Sequence, residues 1–178
     1  MKHMDKPLVN RVASSGLITI NLEEFFPKEE VVVFDIKDYL FMELILKEKD
    51  FRDALKEHDW NQYNGKNLIV YCSTDAIVPV WAYMLVAAYA QPIANRIFQG
   101  DKESFYKVVF NEAINKIDAT QYDQKRIVIK GCSNKPVPPS AYVELTQKLR
   151  PFVQSIMYGE PCSTVPIFKR PRVIDKKK

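Results

Sequence analysis

Glycine, histidine and cysteine are scarce in this chain of 178 residues, and the shortages exclude several classes of function. The five glycines form neither a phosphate-binding loop nor a dinucleotide-binding fingerprint. The two histidines, His3 and His58, stand in no nucleophile–histidine–acid string, so the sequence offers no hydrolase triad. The chemistry that remains open is that of thiols, metals and protein surfaces.

A long apolar run is also missing. Only residues 80–90 are continuously apolar, about half of what a membrane-spanning helix needs. The first twelve residues carry charges and lack the apolar stretch typical of a signal peptide. Together with an odd number of cysteines, three, these features predict a cytoplasmic protein with reduced thiols and no membrane partner.

Basic charge is concentrated at the C-terminal end. The formal net charge is +4, but the last ten residues contain six lysines and arginines and one aspartate, so residues 1–168 sum to −1. No segment with helical periodicity alternates basic with aromatic residues, and we therefore do not expect the chain to bind nucleic acid. Residues 173–178 are predicted to form a basic, disordered tail, and residues 1–10 a loose N-terminus.

The hydrophobic pattern predicts a single α/β domain over residues 1–172. Hydrophobic residues make up 47% of the chain, which is enough for one sizeable core. Continuous β-branched runs alternate with helical periodicity, and this order indicates a layered, mainly parallel sheet. The predicted strands cover residues 17–22, 31–36, 67–72, 96–99, 126–130 and 153–158, and the predicted helices cover 39–47, 79–91, 101–117 (capped by Asp101) and 138–150, with a further short helix capped by Asp50.

Residues 66–101 align without a gap on residues 125–160 when the chain is displaced by 59 positions. The eight identities include Pro79/Pro138, each suited to starting a helix, and Gly100/Gly159, each following a strand. Two unrelated strand–helix–strand units can share the prolines and glycines that begin and end their elements. Duplication of one unit explains this match better. It predicts two copies in one sheet about a pseudo-two-fold axis.

The two predicted helices of this repeat differ in charge. The helix over 138–150 is amphipathic, whereas the helix over 79–91 has no charged residue and is apolar all round. A helix of the second kind must be covered on every side. We expect the N-terminal segment or a second subunit to cover it, which makes a homodimer the natural expectation.

All three cysteines follow predicted strands, and acidic residues share the same class of loop. The carboxyl ends of parallel strands meet at one sheet edge, where ligand sites form. Thiolates with an oxygen ligand suit zinc or iron, and the hypothetical metal ligands are Cys72, Cys132, Cys162, Asp75 and Glu160. Their spacing matches no known zinc pattern, so the alternative is that the cysteines are structural and inert.

Cys72 also stands where a sulfurtransferase of the rhodanese type holds its nucleophile, between a strand and a helix. A persulfide-bearing loop needs backbone N–H groups and cationic side chains around the sulfur. Residues 73–79 contain no arginine, lysine or glycine and do contain Asp75. This composition makes Cys72 a poorly activated nucleophile.

Four longer strings resemble one bacterial family, the domain of unknown function 2480. They lie at residues 10–18, 34–38, 75–85 and 157–166, and the resemblance extends from residue 10 to about residue 171. That family carries no established activity. The resemblance implies only a link to iron–sulfur cluster assembly through gene neighbourhood.

Two hypotheses follow, and the sequence leaves open whether the protein is an enzyme. The first is a metal- or thiol-site protein in iron or sulfur handling. The second is a non-enzymatic interaction domain, homodimeric, with structural cysteines. Neither hypothesis identifies a substrate.

Overall fold

A computed structural model describes residues 16–131 and 134–171 and divides the chain into two compact units. One unit, the inserted unit, is the continuous segment Pro27–Val108. The other, the split unit, combines Met1–Phe26 with Val109–Lys178. The predicted loose N-terminus and basic tail lie outside the described residues, and the single domain over residues 1–172 stays a prediction.

The described residues form an α/β fold with seven strands and four α-helices. In chain order the elements are β1 (Leu17–Asn21), β2 (Val31–Asp35), α1 (Glu48–Glu57), β3 (Asn67–Tyr71), α2 (Val80–Ala90), β4 (Arg96–Gln99), α3 (Lys102–Asn115), β5 (Arg126–Lys130), α4 (Pro139–Leu149), β6 (Ser155–Glu160) and β7 (Ser163–Lys169). No helix in the described ranges combines the length and the apolar character that crossing a bilayer requires.

The inserted unit contains a parallel sheet with the strand order β2-β3-β4. Its central strand, β3, buries Leu68, Ile69 and Val70, because both of its edges are paired and both of its faces are covered. Parallel neighbours cannot be joined by a tight turn. Helix α2 therefore carries the chain from β3 to β4, and its residues Ala82 and Val86 are buried.

The split unit contains a sheet with the order β1-β5-β6-β7. Strands β1, β5 and β6 are parallel, and β7 is antiparallel to β6. The central strand β5 buries Ile127, Val128 and Ile129, and α4 makes the crossover from β5 to β6. The three parallel strands β1, β5 and β6 match the three strands of the inserted unit in direction and order.

The two units also match in detail at the displacement of 59 residues. The 3-10 helices Trp60–Tyr63 and Ala119–Tyr122 precede β3 and β5, and the bounds of α2 and α4 correspond residue for residue. Asn67 pairs with Arg96 in the inserted unit, as Arg126 pairs with Ser155 in the split unit. The strand registers of the two crossovers are therefore the same.

Two predictions about the strands are wrong, and one further strand is present. The strands that were expected in one sheet lie in two. The strand expected over residues 153–158 begins at Ser155, and the antiparallel β7 was not predicted because Pro166 interrupts its pattern.

The helix expected over residues 39–47 is absent. Phe41 and Ile45 form an antiparallel bridge around a tight turn in which Met42 and Glu43 have φ angles of 51° and 57°. Two successive left-handed residues cannot belong to a right-handed helix. Leu44, which was expected to face inward, is exposed, and α1 begins only at Glu48, before the expected cap Asp50. The expected cap of α3 is confirmed, since the backbone N–H of Ser104 donates to the Asp101 carboxylate at 2.7 Å.

A stack of aromatic rings fills one side of the core of the inserted unit. The Phe34 ring lies parallel to Tyr39 and to Trp60, with centroid distances of 5.1 and 5.7 Å. Trp60 in turn stacks on Tyr89 at 5.4 Å, and its indole N–H donates to the Leu55 carbonyl at 2.9 Å. Stacked rings and a satisfied indole fix the relation between β2, α1 and α2.

His58 lies beside this stack and is held between two tyrosines. Its Nδ1 lies 3.0 Å from the Tyr39 hydroxyl and its Nε2 lies 3.0 Å from the Tyr63 hydroxyl. Burial lowers the pKa of His58, and the carboxylate of Asp59 opposes this effect only in part. Burial also raises the pKa of Tyr63 to about 12. The fold therefore favours neutral imidazole between two neutral phenols.

Acidification should destabilise the protein through His58. An unfolded histidine takes up its proton near pH 6.5. Because the folded pKa is lower, the stabilising contribution is complete above about pH 6.5 and is lost as the pH falls through the folded pKa. We expect the free energy of unfolding in urea to fall between about pH 7 and pH 5 in the wild type, and to fall less in His58→Gln. An equal fall in both proteins would contradict this assignment.

Candidate functional site

The carboxyl ends of β2 and β3 are tied together by Asp35. The Asp35 carboxylate accepts hydrogen bonds from the backbone N–H groups of Lys37 and Ser73, both at 3.0 Å. Burial alone would raise the pKa of Asp35, but the hydrogen bonds from Ser73 and Lys37 outweigh it and lower that pKa. The carboxylate thereby fixes the start of the loop from β3 to α2, which contains Cys72.

Cys72 is half-buried at the end of β3, close to tyrosines. Burial raises the pKa of Tyr83, and a nearby Cys72 thiolate would raise it further. At the equivalent position of the split unit stands Gly131, where an added Cβ would lie 2.7 Å from the Tyr142 hydroxyl. The two units thus place a tyrosine over the same loop position, with a thiol in one unit and no side chain in the other.

The predicted metal ligands are distributed over both units. Cys72 and Asp75 follow β3 of the inserted unit, whereas Glu160 and Cys162 lie at the turn between β6 and β7 of the split unit. The expectation that the thiols share one edge of one sheet is therefore wrong, because β3 and β6 belong to different sheets. Cys132 lies outside the described residues.

The chemistry of these residues gives the zinc or iron site no support. Within residues 16–131 and 134–171, no three histidine, cysteine, aspartate or glutamate side chains come together as a metal site would require. The Glu160 carboxylate lies 3.3 Å from the Lys130 ammonium, which partly neutralises it. Cys162 is an exposed thiol. The shared site at Cys72, Cys132, Cys162, Asp75 and Glu160 stays a prediction.

One face of α2 carries apolar side chains that the inserted unit leaves uncovered. Met84 is 66% exposed, Val80 is 73% exposed, and Ile77 in the preceding loop is 94% exposed. Ala88, one turn after Met84, is also exposed. Residues 77, 80, 84 and 88 form one stripe at helical spacing, which we call the α2 stripe.

The split unit has a concave apolar surface instead. A groove of about 520 Å³ lies between α4 and the strands β6 and β7. Tyr142 and Tyr158 form one part of its wall, with their rings edge to face at 5.6 Å. Val143 from α4 and Ile167 from β7 form another part. We call this cavity the β7 groove.

The sequence indicated the uncharged helix that carries the α2 stripe, but it did not indicate the β7 groove or the role of Asp35. The uncharged composition of α2 was itself the signal for the stripe. The groove needs β7, and the strand-favouring residues Val165, Ile167 and Phe168 could have indicated that strand in spite of Pro166. An aspartate at the end of a buried strand could have indicated the bonds of Asp35, since short acidic side chains often bind the backbone two residues on.

The role of Asp35 can be tested against its counterpart in the split unit. Asn21 occupies the equivalent position at the end of β1 and accepts one backbone hydrogen bond, from Glu23 at 3.2 Å. We expect Asp35→Ala to lower the free energy of unfolding by about 2 kcal/mol and Asn21→Ala by about 1 kcal/mol, since two bonds are lost in the first case and one in the second. Urea titrations measure both values. Equal losses would show that the bond to Ser73 contributes nothing.

No curated protein and no solved structure matches the chain. The model of the family described as "Protein of unknown function (DUF2480)" matches residues 6–170, nearly the whole chain, which confirms the resemblance drawn from the sequence. The chain therefore belongs to the DUF2480 family of proteins of unknown function.

Proposed function

We propose that the protein is a non-enzymatic interaction protein and that two copies pair through the α2 stripe. The observation that carries this proposal is the exposure of Ile77, Val80 and Met84 on a segment that has no charged side chain from residue 76 to residue 95. Single exposed apolar residues are common on protein surfaces, but a contiguous apolar surface marks an interaction site.

The equivalent helix of the split unit provides an internal comparison. At the displacement of 59 residues, the stripe positions correspond to Pro136, Pro139, Val143 and Gln147. The two charged residues of α4, Glu144 and Lys148, stand where α2 has Leu85 and Tyr89. The two helices have the same length and the same place in a strand–helix–strand crossover, and each buries three residues on its inner face. A crossover helix of this kind therefore does not require an uncharged sequence, and the complete absence of charge from α2 calls for a different explanation.

The two units have the same backbone path, but α2 and α4 differ in their charged residues. Duplication of one unit followed by divergence would account for this, and we include duplication in the proposal. The equal registers of the β3–β4 and β5–β6 pairs support it. The matching caps of the 3-10 helices, Asp59 and Asp118, support it as well. After a duplication, one helix could keep its charged residues while the other lost them and gained an interface.

A second copy of the chain is the partner that suits the α2 stripe best. In a two-fold symmetric dimer the same surface meets itself, so every charge near the axis faces an equal charge. An uncharged apolar helix avoids this repulsion and buries Val80 and Met84 against their own counterparts. The shared metal site has no comparable observation in its favour.

Substituting Met84 by glutamate should dissociate the dimer. Two glutamates would then face each other in an apolar interface, and an unpaired buried charge costs about 3 kcal/mol or more. This corresponds to a dissociation constant raised about 100-fold. Sedimentation equilibrium measures the change, with the wild type at twice the monomer mass of 20.7 kDa and Met84→Glu at the monomer mass.

Val143→Glu is the matched control. It introduces the same charge at the equivalent position of α4, where the side chain is 57% exposed. We expect this variant to remain dimeric. A wild type that sediments as a monomer, or an equal effect of both substitutions, would refute pairing through the α2 stripe.

A further inference from the structure

We infer that the β7 groove of the split unit binds a small, neutral, mainly apolar molecule that has a hydrogen-bonding group. The inference is independent of the α2 stripe, since every residue that lines the groove belongs to the split unit. Its volume of about 520 Å³ is in the range of small-molecule sites. Because the groove is concave and of this volume, it suits a small molecule better than the flat surface of another protein.

The lining determines the class of ligand. It contains apolar and aromatic side chains together with two uncharged polar ones, Thr146 and Gln147, and no ionisable acid or base apart from tyrosine. A carboxylate or an ammonium group would lose its hydration there without gaining an opposite charge. A hydroxyl, carbonyl or amide could hydrogen-bond the side chain of Thr146 or Gln147.

The charged residues of α4 are directed to other partners. Glu144 accepts a hydrogen bond from Asn111 at 2.9 Å, and Lys148 donates to the carbonyl of Asn115 at 2.7 Å. Both partners lie on α3. These bonds hold the charged side of α4 against α3, and the side with Val143 is left to the groove.

The groove also lies where the topology favours a ligand site. Ile129 and Tyr158, which are register partners near the carboxyl ends of β5 and β6, both line it. Crevices beyond the carboxyl ends of parallel strands are the usual binding sites of α/β sheets. Strand β7, which has no counterpart in the inserted unit, adds Ile167 as a further wall.

Nile red, a neutral apolar dye, tests the inference by fluorescence titration of the full chain. We expect saturable binding at one site per chain, and an affinity at least tenfold lower for the anionic dye anilinonaphthalene sulfonate. Val143→Glu places a charge in the groove and Val143→Phe fills it without a charge. Both variants should weaken Nile red binding about tenfold or more, since each alters one wall of an apolar pocket.

Met84→Glu is the matched control and should bind Nile red as the wild type does. Sedimentation of the same variants separates the two proposals, because Val143→Glu should lose the dye and remain dimeric. Thermal unfolding verifies that the variants are folded. Unchanged dye binding in both Val143 variants, or loss of the dye in Met84→Glu alone, would overturn the inference. Nuclear Overhauser effects from the Val143 or Ile167 methyl groups to residues 1–15 in the free protein would also overturn it, because the chain itself would then occupy the groove.

Discussion

Parallel pairing on both edges of a central strand is the constraint on which each unit depends. Strands β3 and β5 each bury three consecutive β-branched or leucine side chains, and their ladders require a neighbour on either side. Parallel neighbours need a crossover, which α2 and α4 supply. The crossover in turn brings loops to the carboxyl ends of the strands, where Asp35 holds the loop of one unit and the β7 groove lies in the other.

Parallel pairing of a buried central strand also determines how much of the fold could be predicted from the sequence. Continuous β-branched runs and the prolines before α2 and α4 gave the central strands and their crossovers nearly to the residue, because buried parallel strands leave little choice of side chain. The segment around Met42 was misread because its apolar residues have helical spacing while its backbone makes a left-handed turn. Strand β7 was missed because an edge strand tolerates Pro166, which a central strand would not.

The candidate sites also differ in how far the sequence alone could predict them. The uncharged character of α2 was predictable, since it is a property of the sequence alone, but which of its residues stay exposed was not. The β7 groove was not predictable, because it depends on how α4, β6 and β7 close around a space. Cys72 and Cys162 each follow a strand as expected, but the two strands belong to different sheets, which their loop positions in the sequence could not reveal. Because the two units share a backbone path and differ in their outer surfaces, we propose that the protein interacts through those surfaces and that the shared sheet architecture has a structural role.

The contact between two copies at the α2 stripe is the central claim, and isotope-filtered nuclear Overhauser effects test it most directly. A sample that mixes methyl-labelled with unlabelled chains reports only contacts between copies. We expect intermolecular Overhauser effects at the Met84 and Val80 methyl groups, and none at the Val143 methyl groups of α4. Intermolecular effects that avoid α2, or their absence in a sample that sediments as a dimer, would contradict this claim.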